Sequence, residues 1–531
     1  MLNRLYVFAI GGSGERVLKS LALLLAAGTK IEANEVIPVI VDNDENNAAL
    51  LQCKKILTLY GNTEGDNGVH TIYEKAFGDD QNAWPSFCHT HLRKPIILNV
   101  AGSSIGNLKS IIGCPSKSDL KEDKDDNERI RSIEIERDLL FTEDDLEMPL
   151  NVGFVGNPNI GAVVLNSLSL SATEFQSIKN GIHSNDGVIV IGSLYGGTGA
   201  AGFPLIVNTF NQSDEKPVLG GIAVLPYFST DKARVVDSQR QIDRKRWDVN
   251  SETFGTKTRA ALMYYDDYMQ GVDYLYYAGD DKPRVYPHSV GGPDQDNPYN
   301  LIELLSAICV IDFAKQSKHQ STTYKRPIWG FSDKTANVSN VAGIMNPEVR
   351  RAMVKFQMLN IVLKGNDFLK FAYDTAKQPF VRDIHFTEEV LQSILTKGDI
   401  KHTQATGLNG LLKEWDFWME QLADNDAIRT LKIYNKETTT TRDNFTQNFY
   451  SESDGFGIAR TKQETKGGFF GLYGKQVTVA QNPEILDIMR QVYDKLPESM
   501  KRNVSENQVV AYELLILSKA LDRVIDEKCS I

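Results

Sequence analysis

Cysteine is scarce: five residues in 531, at positions 53, 88, 114, 309 and 529, odd in number and far apart. That excludes a disulfide framework and reads as reduced, intracellular thiols. Basic residues are in the minority, 58 Lys and Arg against 69 Asp and Glu, for a net charge of −11. This balance argues against general binding to nucleic acid or anionic membranes and leaves any anion binding to local loops. No apolar run approaches the length of a membrane span. The first one, Leu5 to Ile10, is too short for a secretory signal, so a cytoplasmic protein is expected. There is no internal repeat. No Gly-Lys-Ser/Thr follows a Gly-rich turn, which excludes a Walker loop. Cys88-His89-Thr90-His91 crowds ligand types too closely for one ion and has no matching second pair, so no metal site is expected there.

What is present is ordinary in bulk, with 41% hydrophobic and 24% charged residues, and the length predicts about two to four domains. The first 60 residues read as strand, Gly turn, helix, strand. The helix runs from Glu15 to about Ala27 with Gly28 as its stop, and the second strand covers Val36 to Val41. Residues 116–148 form a charged insertion that reads as a solvated helical face. The 151–228 stretch returns to the strand-and-helix pattern, and a strongly apolar helix follows from about Pro298 to Lys315. Beyond about residue 340, periodic apolar positions at 347–364, 408–422, 483–494 and 506–526 predict helices. The expected architecture is α/β, with a Rossmann-like parallel sheet in a first domain (1–315) and a mainly helical second domain (316–531).

Five segments carry the chemistry. Gly196-Gly197-Thr198-Gly199-Ala200-Ala201-Gly202 lies between the apolar run Gly187 to Gly192 and the helix start Leu205-Ile206-Val207. A strand, a Gly-rich turn and a helix together cradle anions, because glycine lets backbone N–H groups approach and the helix N-terminus adds its dipole. Gly11-Gly12-Ser13-Gly14 has the same setting after the first strand. Asp42-Asn43-Asp44 closes the second strand. Gly156-Asn157-Pro158-Asn159-Ile160-Gly161 precedes a helix, as does Asn297-Pro298-Tyr299-Asn300. The last four each have a plainer alternative, in turn a dinucleotide turn, an Asp/Asn-rich strand end, an Asn-Pro turn and a Pro-started helix.

Taken in order, these segments resemble the tubulin/FtsZ family, and most closely its divergent bacterial members. The 196–202 run resembles the phosphate signature G-G-G-T-G-[ST]-G, with Tyr195 in place of the first Gly and Ala200 in place of Ser/Thr. The resemblance implies GTP or GDP as ligand, with phosphates on Gly11, Gly12, Ser13, Gly14, Gly156, Asn157, Gly196, Gly197, Thr198, Gly199 and Ala200. It implies Asp44 acting near the phosphates through a hydrated Mg²⁺, Asn208 at the ribose, Asn300 reading the base and Tyr299 stacking beside it. Glu15 and Arg16 stand where the family carries a small polar residue. Family members assemble head to tail, and hydrolysis needs an N-x-D-x-x-D/E loop inserted into the next subunit's nucleotide. The nearest match places Asn346 and Glu348 in the Asn and first acid positions, with Arg351 where the last acid belongs. A Pro-started helix explains the same residues. With that Arg, slow or absent hydrolysis is expected.

Three functions follow. The first is a GTP-binding protein that assembles into filaments and hydrolyses GTP in trans. The second is a non-hydrolysing, nucleotide-responsive scaffold of a bacterial multi-protein complex, anti-phage defence being one setting. The third is a Rossmann-type NAD(P) or SAM protein, against which Val17 stands where G-x-G-x-x-G needs its last Gly. Self-association and other protein subunits are the expected partners, with no nucleic acid and no membrane span.

Overall fold

The computed structural model describes the chain apart from residues 45, 62–67, 79–82, 99–105, 113–123, 149, 151–152, 155, 169–172, 231–250, 270, 281–282, 288–296, 318–346, 364–401, 424–482, 498–507 and 529–531. In chain order its elements are β1 (Leu2–Ile10), α1 (Gly11–Ala26), β2 (Ala33–Val41), α2 (Ala48–Tyr60), α3 (Val69–Phe77), β3 (His91–Leu92), β4 (Ile96–Leu98), α4 (Leu108–Ile112), α5 (Lys124–Leu140), α6 (Glu143–Leu146), α7 (Pro158–Leu168), α8 (Thr173–Gly181), β5 (Gly187–Ser193), α9 (Gly197–Asn211), β6 (Val218–Val224) and β7 (Phe228–Thr230). Then follow α10 (Phe254–Tyr268), β8 (Tyr274–Ala278), β9 (Arg284–Tyr286), α11 (Leu301–Gln316), α12 (Pro347–Leu363), α13 (His402–Ala423), α14 (Pro483–Asp494) and α15 (Val509–Lys528).

Seven strands form one parallel sheet in the order β3-β2-β1-β5-β6-β8, with β4 also on β2. β1 is central because its run from Leu5 to Ile10 is apolar on both faces, as a strand covered on both sides must be. Its side chains alternate. Leu5, Val7 and Ala9 enter one core, and Tyr6, Phe8 and Ile10 the other. Ile10 pairs with Val41 on one side and Gly192 on the other. The chain reverses direction across the sheet between β1 and β5, which opens a crevice at the carboxyl ends of these strands.

One core packs α1, α2 and α11 against the sheet, and α12, α13, α14 and α15 over them. The described C-terminal helices therefore share the hydrophobic cluster of the sheet's α1 face. The other core holds α7, α8, α9 and α10. α1 is buried along nearly its whole length, including Glu15, Arg16 and Lys19. α11 is apolar all round and equally enclosed, the pattern of a helix in the middle of a layer.

The helices expected at 347–364, 408–422, 483–494 and 506–526 are present within a few residues of those bounds. α5 takes up much of the charged stretch, and its described side chains face outward for the most part. The interval 61–115, where the sequence shows no chemistry, contains α3, β3, β4 and α4.

Candidate functional site

β1 runs into α1 without a spare residue. Gly11 makes the turn at φ +66°, a left-handed conformation that glycine adopts freely. β5 hands over to α9 across Leu194, Tyr195 and Gly196. The two units touch: a Cβ on Gly11 would lie 3.2 Å from the Thr198 Cβ. Gly14 and Gly199 have a packing role. A Cβ on Gly14 would sit 2.8 Å from the carbonyl carbon of Ala9, and one on Gly199 2.7 Å from the Ser193 backbone N. Only glycine lets these helices lie this close to their own strands.

α7 closes the third side. Gly153 (φ +78°) and Gly156 (φ +73°) bend the chain ahead of Pro158. A Cβ on Gly161 would meet the Gly197 carbonyl oxygen at 2.8 Å, so α7 and α9 begin side by side. On the fourth side Asn47 caps α2, its Oδ1 accepting from the Ala49 N–H at 2.8 Å. Four helices, α1, α2, α7 and α9, thus start around one cavity of ≈150 Å³. Gly11, Gly12 and Ser13, Asp42, Asp44 and Asn47, Gly153 and Gly156, and Gly196 to Gly199 line it. Helix N-termini present backbone N–H groups and a positive dipole end, chemistry that suits an anion.

The ionisable groups around it are unusual. Burial and the neighbouring Asp42 push the Glu15 carboxyl well above its usual range. Burial raises Asp42 to about 6, against the hydrogen bonds it accepts from the backbone of Asp44 and Asn43. Asn47 Nδ2 donates to both acids, at 3.1 Å to Glu15 and 3.3 Å to Asp42. Asp42, at the cavity, and Glu15 behind it thus form an acid pair in which burial raises both carboxyls and favours their neutral forms. Arg16 is the one cation among the described lining residues. Its Nε donates to Glu303 at 2.6 Å, Nη1 to the Asn297 carbonyl at 2.8 Å and Nη2 to the Pro298 carbonyl at 2.6 Å. Tyr227 also donates to Glu303, at 3.1 Å. Arg16 therefore ties α1 to the start of α11. Lys257, from α10, donates to the Gly156 carbonyl at 2.6 Å and fixes the loop before α7.

The expected residues divide. Gly11, Gly12, Ser13, Asp44, Gly156, Gly196, Gly197, Thr198 and Gly199 line the cavity, and Gly14 lies directly behind it. Asn157, Ala200, Asn208, Tyr299 and Asn300 are not among the lining residues. Asn157 turns its amide toward the Met148 sulfur. Ala200 and Asn208 line a separate groove of ≈520 Å³ between α7, α9 and α10, where Asn208 donates to the Tyr268 carbonyl at 3.2 Å. Asn300 is the N-cap of α11. Its Oδ1 accepts from the Ile302 N–H at 2.9 Å, its Nδ2 donates to Tyr286 at 3.2 Å, and Glu303 completes a capping box. Tyr299 is buried under the Lys19 ammonium, 4.3 Å from its ring centre. Glu348 is exposed in the first turn of α12, the arrangement of a Pro-started helix, while Asn346 lies outside the described residues. Arg351 is held within the chain by Asp522, at 3.0 Å, and Asp526, at 2.5 Å, of α15.

Sequence reasoning missed the aromatic wall. Tyr195, Tyr227, Phe228 and Phe254 line the cavity beside Asn297. Tyr195 stacks 4.5 Å from Phe254, and Phe228 packs 5.1 Å from Tyr227. The substitution of Tyr for the first signature Gly thus becomes part of a wall. The signal available was position: Tyr227 and Phe228 follow the carboxyl end of β6, where α/β proteins bind ligands. No protein-family model, no curated protein and no solved structure matches this chain.

Proposed function

We propose that the chain binds a guanine nucleotide in the manner of tubulin and FtsZ, with Mg²⁺, and self-associates head to tail. The observation that carries this reading is the meeting of four helix N-termini, three of them entered through glycine-bearing loops, on one cavity at the reversal of the sheet. A dinucleotide fold needs only the first of these loops. The glycine-bearing loops after β5 and before α7, besides packing closely against their neighbours, bring two further helix starts to the cavity, which a second and third phosphate would use. The cavity of ≈150 Å³ suits phosphates, and the aromatic wall with Asn297 offers the base a surface on which to stack. Because Arg16 is engaged by Glu303, charge compensation for a triphosphate falls to backbone N–H groups, helix dipoles and a metal ion near Asp44. Gly153 leaves room for the ligand, its nearest neighbour standing 4.0 Å from where a Cβ would be, while a Cβ on Gly12 would come within 3.3 Å of the Asn47 amide nitrogen.

The non-hydrolysing scaffold is the second reading, and the engagement of Arg351 by Asp522 and Asp526 favours it. That segment is fastened to its own α15, which sets it against a role as a loop inserted into another subunit.

The test is the nucleotide content of the purified full chain, by heat release and chromatography, with Gly12→Val as control. Gly12 lines the cavity without touching β1 or β5, unlike Gly199, where any side chain strikes Ser193. GTP or GDP in the wild type and none in the variant supports the proposal. An adenine dinucleotide, SAM or no nucleotide overturns it. Turnover that rises more than linearly with protein concentration then selects catalysis in trans, and bound GTP without turnover selects the scaffold.

A further inference from the structure

His70 and Glu74 lie four residues apart on α3 and so share one face of that helix. β3 brings His91 up to them from the edge of the sheet. The Nδ1 atoms of His70 and His91 stand 3.3 and 4.0 Å from the same oxygen, Glu74 Oε1. Their rings meet edge to face at 4.6 Å, and Trp84 packs against both. One nitrogen or oxygen ligand from each residue falls within 4.8 Å of the others.

His70 is an anomaly. It is 0% exposed, and among the described residues neither ring nitrogen has a hydrogen-bond partner. Its Nδ1 approaches Glu74 without hydrogen-bond geometry. A buried polar group left unsatisfied is costly and calls for an explanation.

We infer that His70, Glu74 and His91 form a site for a divalent transition-metal ion of the Zn²⁺ class. Two imidazoles and one carboxylate are a donor set that suits zinc. Ligands about 2.0–2.1 Å from a tetrahedral ion stand roughly 3.3 Å from one another, which is the separation between His70 and Glu74. His91 needs only a small shift to match. The Glu74 side chain is 35% exposed and that of His91 18%, which leaves a path in and a side for water as the fourth ligand. The ion pins α3 to the edge strand. α3 is also where the C-terminal helices dock, through Phe77 against Tyr512 at 5.1 Å and Gln508 donating to the Ala76 carbonyl at 3.2 Å. The site braces that corner and is separate from the phosphate cavity. It differs from the cluster considered in the sequence, because two of its three ligands come from α3 and the Cys88 thiol points instead toward the Ala26 carbonyl.

The experiment is titration of the chelator-treated full chain with ZnCl₂ by calorimetry, and with CoCl₂ by visible absorption. One Zn²⁺ per chain, a four-coordinate Co²⁺ spectrum, and at least about tenfold weaker binding in both His91→Asn and Glu74→Gln are expected. Both substituted residues are partly exposed, so the fold tolerates them; a thermal melt without metal that matches the wild type establishes this. Zn²⁺ should raise the melting temperature of the wild type and leave that of His91→Asn unmoved. No stoichiometric zinc, or affinity in His91→Asn equal to the wild type, overturns the assignment.

Discussion

α1 and α9 are the same device used twice: a buried parallel strand, a glycine and a helix that starts at the cavity. They differ in what surrounds them. α9 is apolar along the side that meets the sheet, includes Pro204, and has the 158–212 groove at its back. α1 carries Glu15, Arg16 and Lys19 into the interior, and each must be matched there. Glu15 meets Asn47, Arg16 meets Glu303, and Lys19 meets Gln52 at 2.6 Å. A helix that only presents N–H groups to a ligand needs no internal charge. The charges on α1 connect the cavity to α2 and α11, so this helix both lines the cavity and fastens it to the rest of the molecule.

The comparison breaks most sharply at Arg16. Arg16→Leu leaves Glu303 buried without its partner and is expected to cost about 3–5 kcal/mol in chemical denaturation. The double variant Arg16→Met, Glu303→Leu should recover most of that loss. If Arg16→Leu alone costs under about 1 kcal/mol, α1 is no more than a second α9. Next is Gly199→Ala, whose methyl strikes the β5 backbone, with an expected loss of about 1–3 kcal/mol. Gly12→Ala, at the equivalent turn of α1 but open to the cavity, should cost less than about 1 kcal/mol and still lower nucleotide content.

A pH series sharpens the comparison further. The folded-state values of Asp42 and Glu15 are raised. Their stabilising contribution is therefore complete below the unfolded values near 4. It is lost as pH rises, through about 6 for Asp42. Glu15→Gln mimics the protonated acid and removes the repulsion, so its melting temperature should match the wild type at pH 5 and exceed it at pH 8, by on the order of 1–2 kcal/mol in stability. A constant difference across that range would exclude the acid pair. The smallest effect is expected at Asn208. Asn208→Ala should leave nucleotide content unchanged and stability within about 0.5 kcal/mol.

The glycine-bearing turns were legible because their requirement belongs to the backbone, and no other residue can meet it. Gly11, Gly156 and Gly197 to Gly199 converge as their strand–turn–helix settings imply. Asn157, Asn208 and Asn300 were not legible in the same way. An amide caps a helix or bridges a loop as readily as it reads a ligand, and Asn300 does the former. β3 and β4, with two and three residues, are too short to show alternation. The Arg16–Glu303 pair joins residues 287 apart, and the aromatic wall draws on three separate segments. No local pattern contains either.

The burial of α1 also has a consequence for synthesis. Its apolar stretch Leu21 to Ala26 leaves the ribosome early, yet α11, one of the two helices that pack most closely on α1, lies roughly 280 residues further along the chain. At about 5–20 residues per second, that is roughly 15–55 s during which a nascent apolar helix has only part of its native cover, from α2 and the first strands. The expected outcome is transient protection of that surface during translation, and ribosome profiling with chaperone pulldown should find chaperone occupancy concentrated between codons 26 and 316.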